Sequence, residues 1–260
     1  MSERDDVVKE NIRLHEKEAE SYEKDKTEIY NEREQERIRS ILCKIEEYLR
    51  TRDSELKALD LGCGTGNILK KLDPHFDEVI GIDLSDDMLS VASSNIEGDN
   101  PKLVRGRIAN LPFPDGCFDM VSAYSLLHHL PGFSKPISEI SRVLKEGGII
   151  YIDHEPIERE NPLVKAYLKF CDVLDGKDSK GLPPYTDTEG RKYCDYQIHH
   201  GENRGVPVSR VLDLCRNEGI EALLNKKYLI YGTEKKNPLY SILKPFINSE
   251  WLLIGRKKAE

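Results

Sequence analysis

The stretch Leu59-Asp60-Leu61-Gly62-Cys63-Gly64-Thr65-Gly66-Asn67 places three glycines at alternate positions directly behind a short apolar run. Glycine costs backbone entropy, so the cluster implies that something approaches the main chain closely. A strand, a glycine turn and a helix in succession form a common cradle for nucleotides, because amide N–H groups and the helix N-terminus face the ligand. The spacing excludes two familiar versions. A dinucleotide fingerprint G-x-G-x-x-G would need its third glycine at Asn67, and a P-loop would need a Gly-Lys-Ser/Thr that does not follow. Asp83 supplies the second signal, at the end of the run Val79-Ile80-Gly81-Ile82. A carboxylate at the tip of a second strand can accept both hydroxyls of a ribose lying across the first. A plainer role as a helix cap is already served by Ser85. Together the two features point to a nucleoside-containing ligand.

His128 and His129 follow the apolar segment Phe118 to Ala123. Histidine suits a general base because its pKa lies near working pH, although the pair could equally shape a turn. Tyr124 and Ser125 sit at the same strand end. Asp153-His154-Glu155 and His199-His200 add further side chains of metal-ligand type, but their spacing matches no usual zinc pattern, and no metal is expected.

These groups need a scaffold. Ile38, Ile41, Leu42, Ile45, Tyr48 and Leu49 fall on one helical stripe. Behind it, strands read at Leu56–Leu61, Glu78–Ile82, Lys102–Val104, Phe118–Ala123 and Ile149–Asp153. Helices read at Gly66–Leu72, from Ser85 to about Asn95, and at Ser134–Leu144. Strands alternating with helices imply a parallel sheet covered on both faces. Residues 156–207, with Pro162, Pro183, Pro184 and a tyrosine-rich polar stretch, break the rhythm and read as an inserted cap. A helix near Val208–Asn217 and strands near Lys227–Tyr231 and Trp251–Arg256 complete the core. The expected division is an arm over 1–37, a core over 38–155, the cap, and a C-terminal part of the core over 208–260.

The glycine motif, Asp83, Leu111-Pro112-Phe113-Pro114-Asp115-Gly116-Cys117-Phe118-Asp119, Leu127-His128-His129-Leu130 and Arg142-Val143-Leu144-Lys145-Glu146-Gly147-Gly148 together resemble class I S-adenosylmethionine-dependent methyltransferases. The likeness is greatest to the branch acting on ubiquinone-type, menaquinone-type, sterol-type and other small molecules. The resemblance implies a Rossmann-like, seven-stranded, mostly parallel α/β sheet with helices on both faces, its last strand antiparallel. It implies S-adenosylmethionine as cofactor and S-adenosylhomocysteine as product. It places Gly62, Cys63 and Gly64 against the methionine part, Asp60 at its ammonium and Asp83 at the ribose. Leu84, Met88, Ile108 and Ala109 would face adenine, Tyr124 the sulfur, and Tyr22 of the arm the methionine carboxylate. Between the two histidines it favours His128 as the base. One departure stands out: Arg107 occupies a position where the family usually has an Asp that accepts from the adenine amino group, and arginine has no acceptor. Asn110 or a main-chain carbonyl could supply it instead.

A formal net charge of −8 counts against a nucleic-acid backbone as the main partner. The six cysteines are scattered without a C-x-x-C pair, which favours neither a zinc site nor a disulfide framework. No run approaches the roughly 18 apolar residues of a membrane span, and the N-terminus lacks the apolar stretch of a secretory signal, so a cytoplasmic location is expected. The expected activity is methyl transfer to a small organic acceptor, aromatic or lipid-like, at O, N or C. A tRNA-modifying enzyme and a non-catalytic cofactor-binding protein are the alternatives.

Overall fold

The computed structural model describes residues 13, 19, 30–50, 55–98, 100–157, 185–186, 192–193, 205–228 and 250–259. The long helix α1 spans Glu32–Leu49, capped by Asn31, whose side chain accepts the Glu34 amide at 3.0 Å. Its buried residues Ile38, Leu42, Ile45 and Leu49 form the apolar stripe, so the helix begins one turn and a half before the stripe does. Then come β1 (Lys57–Leu61), the short α2 (Leu69–Leu72), β2 (Glu78–Asp83), α3 (Asp86–Asn95), β3 (Pro101–Arg105) and β4 (Phe118–Tyr124). A 3-10 turn at Leu127–His129 leads to α4 (Ser134–Val143) and β5 (Leu144–Pro156). A small hairpin, β6 (Tyr185–Thr186) with β7 (Lys192–Tyr193), precedes α5 (Val208–Asn217), β8 (Ile220–Tyr228) and β9 (Glu250–Lys257).

Seven strands form one sheet in the order β3-β2-β1-β4-β5-β9-β8. The first five are parallel, and β9 runs antiparallel to both β5 and β8. The order reverses between β1 and β4, and open α/β sheets bind ligands at such a switch point, outside the carboxyl ends of the strands. β4 is buried at every position, as expected of a central strand covered on both faces. Ile38, Leu42, Leu69 and Leu72 pack one face of the sheet, while Ile137, Ile140, Val143, Val211 and Cys215 pack the other.

Two local expectations change. The helix expected over Gly66–Leu72 forms only from Leu69, because Gly64 and Gly66 adopt positive φ of 51° and 90° and hold Gly64–Ile68 as a turn. The strand expected at Lys227–Tyr231 starts instead at Ile220. Residues 221–227 are exposed on this edge, so no apolar alternation marks them in the sequence.

Most of the expected cap lies outside the described residues, as do Tyr22, the His15–Tyr22 segment apart from Ala19, and His199-His200. Residues at the two ends of the expected cap meet: Ile157 and Val206 form a parallel bridge, and the Val206 amide donates to the Pro156 carbonyl at 2.6 Å. Among the described residues no helix is long and apolar enough to cross a membrane, and Cys43, Cys63, Cys117 and Cys215 are free thiols.

Candidate functional site

At the carboxyl ends of β1, β2 and β4 lies a cavity of about 670 Å³. The loop leaving β1 forms its floor. Gly62 and Gly64 hold φ of 60° and 51°, which a side-chain-bearing residue adopts only at a cost. A Cβ on Gly64 would meet nothing closer than the Gly62 carbonyl at 4.0 Å, so that face of the loop is open to a ligand. The loop is fastened from three sides. Asn95 of α3 donates to the Thr65 carbonyl at 3.1 Å, Lys71 of α2 donates to the Asn67 carbonyl and Oδ1 at 2.8 and 2.7 Å, and the Tyr30 hydroxyl lies 3.0 Å from Thr65 Oγ1.

Asp83 sits at the tip of β2 and divides its carboxylate. Oδ2 accepts the Gly64 amide at 2.9 Å and Oδ1 accepts the Ser85 amide at 2.9 Å. Ser85 caps α3, accepting the Met88 amide at 3.2 Å, so Asp83 is not the cap itself. Asp60, one strand over, is buried and accepts the Ser122 hydroxyl at 2.7 Å. Burial pushes its pKa up to about 7; the Ser122 bond and Lys71 hold it down in part, while Asp83 adds to the rise.

Gly62, Cys63, Gly64, Leu84, Met88, Ile108, Ala109 and Tyr124 all line this cavity with Asp60 and Asp83, so every cofactor residue expected from the sequence and described in the structure comes together there. Arg107 lines it too. Tyr124 presents its ring, while its hydroxyl donates to Glu34 of α1 at 3.2 Å. Tyr30 also lines the cavity, and sequence reasoning misses it. It stands just ahead of the α1 cap, where the sequence is largely polar and charged and shows no apolar stripe.

The histidines divide differently from expectation. His129 lines the cavity and His128 does not. Successive residues of a 3-10 turn point about 120° apart, so sequence order alone does not say which faces inward. His128 turns to Glu155, whose Oε2 lies 2.9 Å from its Nδ1. Glu155 is fully buried and accepts the amides of Leu126 and Leu127, each at 2.7 Å, and of His128 at 3.1 Å. With three amides already donated to it, Glu155 is placed to accept the Nδ1–H of His128 as well. The two imidazole rings lie 4.0 Å apart, tilted by 39°.

Behind this wall is a buried polar network. Asp153 accepts from Tyr151 at 2.5 Å, from Tyr228 at 2.7 Å and from Arg37 at 2.8 Å, and Arg37 also pairs with Glu34. His154, at φ 58°, stacks on Tyr124 with centroids 5.0 Å apart, and burial lowers its pKa to about 3. Asp153, His154 and Glu155 thus serve different partners. Among the described residues no group of three His, Cys, Asp or Glu side chains is placed to hold a metal ion.

A glycine loop at the switch point and an acid at the tip of the next strand make a site of the nucleoside-binding kind, on a sheet whose strand β9 is antiparallel. Residues 59–152 match the family model described as a methyltransferase domain. The chain is 31% identical over 125 residues to the uncharacterized methyltransferase YcgJ of Bacillus subtilis (strain 168), covering 46% of this chain and 49% of that protein. It is 38% identical over 129 residues to the demethylmenaquinone methyltransferase of Staphylococcus saprophyticus, covering 46% of this chain and 55% of that one. The chain therefore spans about half the length of the curated relatives it matches. The solved S-adenosylmethionine dependent methyltransferase from Mesorhizobium loti shares the fold, with a TM-score of 0.56 at 18% identity over 81% of this chain and 96% of that one. Residues 59–152 thus match a methyltransferase domain, within a fold shared with a solved S-adenosylmethionine dependent methyltransferase.

The cofactor of such a domain is S-adenosylmethionine, and the donor set here fits it. Two acids, Asp60 and Asp83, line the cavity and would suit a molecule carrying an ammonium, a sulfonium and a ribose diol. Leu84, Met88, Ile108 and Ala109 offer apolar contact to a flat base, and the open loop at Gly64 admits the amino-acid end.

Proposed function

We propose that the protein transfers a methyl group from S-adenosylmethionine to a small organic acceptor bound in the same cavity. The observation that carries this reading is the pair of carboxylates, Asp60 and Asp83, brought to the open glycine loop at one end of a cavity with space beyond it. When bound, the cofactor supplies an activated methyl on sulfur. The chain's own residues bind and align. Asp60 accepts the ammonium, Asp83 the ribose hydroxyls, and the wall from Tyr124 to Leu126 with His129 and Leu130 flanks the acceptor. Displacement at a sulfonium needs little beyond proximity and alignment, which holding both reactants in one cavity provides. Where the acceptor must lose a proton, His129 takes it, with His128 and Glu155 fixing the turn that carries it. A cytoplasmic location, the inserted cap over 156–207, and the approach of Tyr22 to the methionine carboxylate belong to the same reading.

The staphylococcal relative is named for demethylmenaquinone, so a quinone-type ring is one acceptor worth testing. The similarity covers under half of this chain, so the acceptor is not inherited from it. Incubation with methyl-labelled S-adenosylmethionine and a panel of small phenols, quinols, amines and carboxylic acids tests the proposal. The expected result is S-adenosylhomocysteine formed in step with label in one acceptor class. Tight cofactor binding with no label in any class would favour a non-catalytic binding protein instead.

A further inference from the structure

Among the described residues only two positions other than glycine hold a left-handed backbone, Ser125 at φ 55° and His154 at φ 58°. They are neighbours in the sheet: Tyr124 and Asp153 are register partners of β4 and β5, and Ser125 and His154 follow them. Such a backbone costs conformational energy and persists only where the surroundings over-determine it. Around Ser125 they do. Its amide donates to the Asp153 carbonyl at 2.9 Å. Ahead of it the Tyr124 hydroxyl donates to Glu34 at 3.2 Å, and behind it Glu155 accepts three successive amides, from Leu126 to His128. Every residue from Tyr124 to His128 is therefore held in place. The Ser125 side chain lines the cavity, and among the described residues its hydroxyl makes no hydrogen bond.

This hydroxyl stands beside the glycine loop. Leu61 and Ala123 are register partners, so the chain leaves β1 at Gly62 next to Tyr124. Leu126, on the other side of Ser125, closes on the same glycine, since a Cβ there would meet its Cδ1 at 2.5 Å. The loop has already spent most of its donors. The Cys63 amide donates to the Ile82 carbonyl at 3.2 Å, the Gly64 amide to Asp83 at 2.9 Å and the Gly66 amide to the Cys63 carbonyl at 2.9 Å. The Thr65 hydroxyl lies 3.0 Å from that of Tyr30. Asp60 and Asp83 suit an ammonium and a ribose, but an ionised acid offers a carboxylate no donor. The α-carboxylate of S-adenosylmethionine therefore needs a donor from outside the loop.

Resting on the methyltransferase reading, we propose that Ser125 is a cofactor-binding residue whose hydroxyl donates to the α-carboxylate of the methionine part. The strained turn presents that hydroxyl, and β5 sustains the strain through the Asp153 carbonyl and the Glu155 carboxylate. A hydrogen bond to an ionised acceptor is among the stronger kinds, which gives the costly backbone at Ser125 a return once ligand is bound. His154 differs, because its imidazole is buried and stacks on Tyr124 rather than lining the cavity.

The test is calorimetry on the full chain with two probes, S-adenosylhomocysteine and its decarboxylated form, which keeps the amine, the ribose and the base. Ser125→Ala is expected to weaken S-adenosylhomocysteine about tenfold or more while leaving the decarboxylated form within about twofold of wild type. Ser125→Gly removes the hydroxyl and the backbone strain together. It should melt above wild type yet bind S-adenosylhomocysteine as weakly as Ser125→Ala does. A serine that only shapes the turn predicts instead a glycine variant that binds as wild type does, and that result would overturn the proposal. So would equal weakening of both probes by Ser125→Ala, or a glycine variant that melts below wild type. Failure of wild type to bind S-adenosylhomocysteine would remove the cofactor reading itself, whereas normal binding by wild type and both variants would overturn only the role of Ser125.

Discussion

Asp83 Oδ2 accepts the amide of Gly64 at 2.9 Å, so the tip of β2 and the loop leaving β1 are one unit before any ligand arrives. Each carboxylate oxygen can accept twice, so both retain a site for a ribose hydroxyl while holding Gly64 and Ser85. The carboxylate proposed to hold the ribose is also the one that shapes the loop beside it.

The glycine loop should therefore be intolerant where it is crowded as well as left-handed. Gly62 and Gly116 share a φ near 60°, but a Cβ at Gly62 would meet Leu126 Cδ1 at 2.5 Å, whereas one at Gly116 meets nothing within 4 Å. Gly116→Ala is expected to lose only the backbone cost, about 1–2 kcal/mol, with cofactor affinity intact. Gly62→Ala should lose more stability and also push Leu126 into the cavity, weakening S-adenosylhomocysteine. Urea unfolding with calorimetry on both variants checks this; equal behaviour of the two would refute the crowding at Gly62.

Asp60 sets a pH dependence. Its pKa of about 7 in the free protein means that it is protonated in mildly acidic solution and must release that proton to accept an ammonium. Affinity for S-adenosylhomocysteine should fall with decreasing pH below about 7, by up to about tenfold per pH unit, and be level above it. Asp60→Asn should flatten the profile. A level profile in wild type between about pH 5.5 and pH 8 would contradict the raised pKa.

Most of the fold is legible in the sequence, and so is the gathering of the glycine loop, Asp60 and Asp83 at one cavity. Glycine and aspartate at strand ends are local signals, and buried strands read as apolar runs. The start of β8 is not legible, because an exposed edge strand carries no such run. The choice between His128 and His129 is not either, because adjacent residues of a 3-10 turn cannot be told apart by spacing. Tyr30 lies outside any apolar stripe. The Glu34–Arg37–Asp153–Tyr228 network stays hidden because it joins positions more than a hundred residues apart, as Arg37 and Asp153 are.

The histidine assignment separates by mutation. His129→Ala should lower turnover by roughly 10²–10⁴-fold for an acceptor that must lose a proton, with S-adenosylhomocysteine affinity nearly constant and the acidic limb of the rate–pH profile altered. Glu155→Gln leaves three amides facing a weaker acceptor and should lower thermal stability. Loss of turnover in His128→Ala at normal stability, with His129→Ala fully active, would return the role to His128.

The buried network should matter for stability. Arg37→Met leaves Asp153 and Glu34 without their guanidinium, and breaking a buried pair from one side costs about 3–5 kcal/mol. Denaturant unfolding measures it, and a loss below about 1 kcal/mol would show that Tyr151 and Tyr228 suffice for Asp153.

Calorimetric titration of wild type and Asp83→Ala with S-adenosylhomocysteine, and of wild type with NAD, is the most direct test that this cavity is a methyltransferase cofactor site. Wild type is expected to bind S-adenosylhomocysteine and not NAD. Asp83→Ala is expected to bind it more weakly, by about 1.5–3 kcal/mol for each hydrogen bond to the carboxylate that is lost. Equal affinity of wild type for NAD, or undiminished S-adenosylhomocysteine binding by Asp83→Ala, would contradict the assignment.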